Sequence, residues 1–286
     1  KELIDGIIIW GSQICYFITP EEKSTFYKRF NNIPMVTVAK QLDWCPCIQA
    51  DNYQGIRKLM AHLIEVHGLK KIGYIMGPIY HSYSQERYNS YLNTLDEYNI
   101  PFNPDLVSSP GLFTSENGVK AAQELFVHRK LIPKKDIEAL VIPSDGLALG
   151  VCDELKRLGI NIPNDIAIVS YNNKIESRVC NPALTTYDPM FSSHTETAVS
   201  SVLKLIDGDR NIPANNPIEG RVIIRKSCGC TNSLQPWEYH IISNHDGNIT
   251  LAEILTNNRE EIIKLMKKHL FCKDTLLPDN WHELLV

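Results

Sequence analysis

Two cysteine pairs carry the most conspicuous chemistry in the sequence, Cys45-Pro-Cys47 and Cys228-Gly-Cys230. Thiolates this close can clip a metal, exchange disulfides, or simply mark the end of a domain. Paired zinc cysteines usually have two or more residues between them, and each of these pairs has a single one. A site shared by all four cysteines is the remaining metal arrangement, and the spacing leads us to expect no metal and no cofactor. A second cluster, PIYHSYS at residues 78–84, sets His81 beside Tyr80 and Tyr83 directly after a strand-like run. Such a loop either presents His81 and Tyr83 to a carboxylate or phosphate on a ligand or is an ordinary polar connection. No GxSxG, HExxH, P-loop or GxGxxG occurs, and no cysteine pairs with a histidine in a recognisable nucleophile motif. Binding is therefore expected, and catalysis is not.

Composition narrows the partners. A chain of 286 residues, 43% hydrophobic, can bury a substantial core and suggests about two domains. Its 29 Lys and Arg against 33 Asp and Glu give a net charge of -4 without any basic run, so this segment is not expected to grip nucleic acid. Apolar runs such as residues 7–10 are far too short to span a bilayer, and no signal-peptide pattern precedes them. The eight cysteines are scattered along a long chain, which fits reduced thiols and a cytoplasmic setting.

The elements that must position these residues follow from periodicity. Strand-like apolar runs fall at residues 7–10, 35–39, 71–76, 139–142, 166–171 and 221–225. Between them lie helical patterns near 84–98, 115–131, 145–158 and 191–207, and the clearest begins at Asp51 or Asn52 and ends at Gly68. That helix places Ile56, Leu59, Met60, Leu63 and Ile64 on one face. Strands alternating with helices of this length predict an α/β fold of mostly parallel sheets covered on both faces. HLIEVHGLKKIGYIMG and DELKRLGINIPNDIAIVSY share one plan of helix, glycine stop and strand, which suggests two similar lobes. Ligands of such sheets bind beyond the carboxyl ends of the strands, in the cleft between lobes.

Several segments, read together, carry a resemblance. IPMVTVAKQLDWCPCIQADNYQGIRKLMAHLIEVHGLKKIGYIMGP, SQERYNSYLNTL, VIPSDGLALGVCDELKRLGINIPNDIAIVSYNN and NPALTTYDPM occur in the order found in the sugar-sensing domain of LacI/GalR-type regulators. The chain resembles that domain, a relative of type I periplasmic binding proteins, over about residues 3–227. The resemblance implies two doubly wound parallel-sheet lobes around a cleft, within a sensing domain of about residues 1–230. The first lobe is expected over 1–77 with a return near 190–207, and the second over 78–187 with a return near 208–227. It further implies that a strand, a helix and a second strand of the first lobe precede Lys1, and the alternatives to a signalling sensor are the core of a repressor whose DNA-reading helix-turn-helix, missing from this segment, lies upstream, and a solute-binding protein for transport. The implied partners are a sugar or related small molecule and a second copy of the chain, with DNA contacted only through a module outside this segment.

The same resemblance suggests site residues. Arg87, in SQERYNSY, matches an arginine on a first-lobe helix that grips ligand hydroxyls with its planar fork. The plainer alternative is an ion pair with Glu86 or Asp96. Phe113, in GLFTSENG, matches an aromatic that packs on the ligand at the rim of the second lobe, and otherwise is a core phenylalanine. Asp145, in PSDGLALG, falls where a strand ends and a helix begins, so it is expected to cap that helix, alone or while also facing the cleft. Ser144 stands where the family usually has Asn, and Asn172 where many sugar sensors have Asp. A carboxylate only accepts hydrogen bonds whereas an amide also donates, so the ligand is expected to differ from a simple neutral sugar.

After Thr231 the α/β rhythm stops. Residues 231–286 read as a connector to an output module, with an amphipathic helix over about 250–270. Leu251, Leu255, Asn258, Ile262, Leu265 and His269 step by fours and threes, as in a coiled-coil seam. That stripe packs either on its own sensor or on a second copy. The sequence as a whole thus predicts a sensor that closes two lobes over a small molecule.

Overall fold

Short β-rich runs alternating with amphipathic helices build two parallel sheets, in keeping with the expected α/β class. The computed structural model describes residues 4–11, 19–30, 32–39, 42 and 44–230. The connector and its helix near 250–270 lie outside these residues. In chain order the elements are β1 (Ile7–Trp10), α1 (Pro20–Lys28), β2 (Met35–Val38), β3 (Cys47–Ala50), α2 (Asn52–Ala61), β4 (Ile72–Tyr74) and α3 (Ser82–Glu97). There follow α4 (Ser115–Gln123), β5 (Ala139–Val141), α5 (Asp145–Arg157), β6 (Ala167–Tyr171), α6 (Ile175–Val179), β7 (Thr185–Asp188), α7 (Phe191–Ile206), β8 (Asn215–Ile218) and β9 (Arg221–Ile223).

The first sheet has the order β1-β2-β3-β8, all parallel, and the second β4-β5-β6-β7-β9, parallel except for the antiparallel β7–β9 pair. This topology corrects the expected lobe boundaries. Strand β4 and helix α2 belong to the second lobe, where residues 1–77 had been assigned to the first, and β8 returns to the first lobe from within 208–227. The chain crosses to the second lobe after Ala50, comes back at α7, and crosses again between β8 and β9. Residues 47–50, 185–188 and 215–218 read poorly as strands in the sequence because polar residues such as Gln49, Thr185, Thr186, Asn215 and Asn216 break the apolar run, and the last contains a proline at a sheet edge.

Burial explains why these elements assemble. Alternate residues of β5 face opposite sides of the second sheet, Ala139 and Val141 toward α2 and α3, Leu140 toward α4 and α5. The predicted stripe Ile56, Leu59, Met60 and Leu63 is fully buried against the first of these faces. In the first lobe Ala198, Val202 and Leu205 of α7 cover Val36, Val38, Ile48 and Ala50. Asp51 caps α2 by accepting from the Gln54 amide at 2.9 Å, one of the two alternatives the sequence offered.

Both α2 and α4 end in a π turn, at His62–Val66 and Glu124–His128. A π turn brings residues five apart onto one side, which an α-helix does not. Glu124 and Arg129, five apart, form a salt bridge there.

Candidate functional site

Every parallel strand ends at the same gap between lobes, and the side chains just beyond those ends line a cleft of about 640 Å³. The first lobe contributes Trp10, Val38, Ala39, Ala50, Phe191 and His194, and the second contributes His81, Tyr83, Arg87, Phe113, Ser144 and residues 172–175. Of the residues singled out in the sequence, Arg87, Phe113, Ser144, Asn172, His81 and Tyr83 converge on this cleft, and Asp145 does not.

Arg87 is 5% exposed, on a helix of the second lobe and not of the first as the resemblance suggested. Its Nε donates to Asn52 Oδ1 at 2.8 Å and one terminal nitrogen donates to the Pro143 carbonyl at 2.6 Å. Its guanidinium lies over the Tyr171 ring, 3.6 Å from the centroid. Neither Glu86 nor Asp96 pairs with it directly. Asn52 stands between, donating to Glu86 Oε2 at 2.8 Å, and burial raises the pKa of that carboxyl above its usual value. Among the described residues Arg87 therefore makes no salt bridge. A buried cation held by an amide, a carbonyl and a ring keeps its remaining terminal nitrogen for an acceptor brought from outside.

Asp145 is fully buried, and its carboxylate is consumed inside the protein. Ser170 Oγ donates to it at 2.5 Å, Thr186 Oγ1 at 2.9 Å and the Lys174 amide at 2.7 Å. The helix cap falls to Ser144, whose Oγ accepts from the Gly146 amide at 3.3 Å. The sequence shifted the cap by one residue because both side chains are good caps, and only the backbone of Ser144 is extended. Asp145 instead anchors the loop 172–174, where Asn172 and Asn173 hold positive φ angles of 114° and 50°. Asn173 is locked by Asp188 and Arg225, while the side chain of Asn172 makes no hydrogen bond among the described residues and faces the cleft.

The remaining walls are aromatic. Phe113 packs partly on the second-lobe core and partly lines the cleft. Gly77 makes room for its ring, since a Cβ there would come within 2.4 Å of Phe113 Cε1. His81 stands edge-on to Phe113 with ring centroids 5.5 Å apart. Burial, and then the Arg87 charge, push its pKa down to about 4, so at neutral pH the imidazole lining the cleft is uncharged. Opposite, Trp10 and Phe191 lie 5.7 Å apart at 56°. Sequence reasoning missed Trp10, Phe191, His194 and Lys174. Trp10 closes a predicted strand, and its position at a carboxyl end was a usable signal; Phe191 and His194 needed the fold. Among the described residues no Asp or Glu lines the cleft, whereas Arg87 and Lys174 do.

The joint four-cysteine arrangement does not form. Cys45 and Cys47 lie in the first lobe, with Cys45 against Thr37, while Cys228 sits in the second beside Thr185. Among the described residues no helix is long and apolar enough to cross a membrane.

Residues 60–228 match the sequence profile of the periplasmic binding protein-like domain. The chain is similar to the HTH-type transcriptional repressor PurR of Pasteurella multocida, 27% identical over 233 residues, which cover 79% of this chain and 65% of that protein. It thus spans somewhat less than two thirds of that relative. Among solved structures it is similar to the transcriptional regulator CelR in complex with cellobiose (TM-score 0.68, 23% identity, 79% of this chain and 66% of that one). It is also similar to the transcription regulator CcpA of Lactococcus lactis (TM-score 0.66, 24% identity, 78% of each chain).

Proposed function

Because the chain belongs to the periplasmic binding protein-like domain family, we propose that it is the sensing part of a bacterial transcription regulator or signalling protein. A small, carbohydrate-like molecule enters the cleft, is held by both lobes, and closes them. The observation that carries this reading is the buried Arg87, which faces the cleft with no carboxylate partner among the described residues. An acceptor-rich ligand satisfies it, and Trp10, Phe191 and Phe113 offer apolar ring faces to a flat sugar or ring from opposite walls. The described lining, which is cationic and holds no acid, favours a ligand bearing a carboxylate or phosphate over a plain sugar.

Ligand shifts a two-state equilibrium only through its different affinity for the two states. First-lobe Trp10, Phe191 and His194 facing second-lobe Arg87, Phe113, Ser144 and Asn172 give that difference, since the two sets meet one ligand together only when closed. The cross-lobe pairing assigns Arg87 and Phe113 to the same lobe, unlike the sequence-based expectation. Transcriptional output is supported by the PurR relative, and a second copy of the chain is the expected partner; both belong to the whole protein. The role is binding without chemical turnover.

A thermal-shift screen against sugars, sugar acids, sugar phosphates and nucleosides, repeated with Arg87→Lys, tests this. A hit on the parent is expected to weaken at least about tenfold in the variant, since the lost contact to a charged group is worth roughly 1.5–3 kcal/mol. A hit that stabilises both equally places the ligand elsewhere and sinks the proposal.

A further inference from the structure

Away from the cleft, four side chains from two distant parts of the chain meet: His62 and His67 at the end of α2, and Cys228 and Cys230 after β9. We propose that they form a tetrahedral zinc site. His62 Nε2 lies 3.3 Å from His67 Nε2, 3.4 Å from Cys228 Sγ and 3.6 Å from Cys230 Sγ, and Cys230 Sγ lies 3.4 Å from His67 Nε2. All four atoms fall within 4.8 Å of one another. Zinc with bonds of about 2.3 Å to sulfur and about 2.0–2.1 Å to nitrogen requires tetrahedral edges of about 3.3–3.4 Å for N···N and about 3.5–3.6 Å for N···S. The four edges given above match this within about 0.2 Å, and the two that join Cys228 to Cys230 and to His67 are no longer than 4.8 Å.

Hydrogen bonding alone does not account for the cluster. A ring nitrogen carries either one proton or one lone pair, yet His62 Nε2 faces three atoms at contact distance. One cation at the centre satisfies all four. Thr185 Oγ1 lies 3.1 Å from Cys228 Sγ and 3.0 Å from the Arg225 carbonyl, so its single proton can turn to a ligating thiolate, the kind of outer hydrogen bond that supports one. Two sulfurs and two imidazoles in this geometry select zinc over magnesium or calcium.

The backbone is shaped for it. The π turn brings His62 and His67 to one side, as the twin turn does for Glu124 and Arg129. Gly229, at φ 100°, turns Cys230 back beside Cys228, and Cβ space is not its reason because the nearest atom would be 3.6 Å away. The one-residue cysteine spacing counted against zinc in the sequence, but HLIEVH supplies histidines with four residues between them, within the range of zinc sites. The site staples α2, whose first residue Asn52 holds Arg87, to the segment that leaves β9. This inference does not depend on the identity of the cleft ligand.

The full chain, produced with zinc supplied and passed through a desalting step, is expected to carry one zinc per chain by elemental analysis. The Cys228→Ser, Cys230→Ser double variant should retain less than a tenth of that, and a Cys45→Ser, Cys47→Ser control should retain all of it. Should the double variant fail to fold, stripping the parent and titrating Co²⁺ gives an independent reading: tetrahedral d–d bands with a thiolate charge-transfer band, preserved by His67→Cys. Thr185→Val should weaken zinc about tenfold in competition with a chelator. A parent without bound zinc and without the cobalt bands, a parent with Cys228 joined to Cys230 as a disulfide, or a control that loses its zinc would each overturn the proposal.

Discussion

Removal of the Asp145 side chain tests how the cleft loop is held. Its carboxylate is fully buried and accepts from two hydroxyls and one backbone amide. In Asp145→Ala three donors lose their acceptor, and each unsatisfied buried group costs roughly 1–3 kcal/mol. Relaxation recovers part of this because the hydroxyls can rotate, so the expected loss is about 3–5 kcal/mol. Asp145→Asn should behave differently. Its amide oxygen can face the Lys174 N–H, which cannot turn round, while its NH₂ donates to the two hydroxyls, which can. The expected loss is about 1 kcal/mol or less. Burial raises the Asp145 pKa despite the three bonds, so the folded state holds that proton at a higher pH than the unfolded chain does. The sign follows: relative to Asp145→Asn, the parent gains stability as pH falls through the raised pKa toward 3.8 and loses that gain above it. Urea unfolding followed by tryptophan fluorescence at neutral and acidic pH measures both differences. An alanine variant within about 1 kcal/mol of the parent would refute the anchoring role.

Gly77→Ala puts a methyl 2.4 Å from a Phe113 ring carbon and should displace that ring at about 1–3 kcal/mol, weakening any cleft ligand more than the fold; calorimetric titration beside thermal melting separates the two effects. His81 contributes stability that is complete above pH 6.5 and lost as pH falls toward about 4, because the folded site resists protonation. The difference in unfolding free energy between parent and His81→Gln should therefore shrink over that interval, and a pH-independent difference would contradict the burial argument. Ser144→Ala removes the cap of α5 and should cost about 1 kcal/mol in the same unfolding assay.

Local signals in the sequence were enough to determine the fold class and most elements. The buried stripe Ile56–Leu59–Met60–Leu63, the Asp51 cap and the Gly68 stop depend only on neighbours along one helix, and all three stand in the structure. The convergence of Ser144 and Asn172 was legible because each closely follows a strand end, and parallel sheets gather those ends, whereas Arg87, inside α3, and Phe113, ahead of α4, were singled out through the family resemblance. What the sequence left open turns on pairing between distant segments. Which lobe owns β4 and α2 is decided by strand order, which periodicity does not encode. Whether Ser144 or Asp145 caps α5 is decided by one extended residue and by Ser170 and Thr186 arriving from other strands. The cysteines after β9 looked unexplained because their partners lie more than 160 residues away, in a π turn that only the folded lobe carries to them.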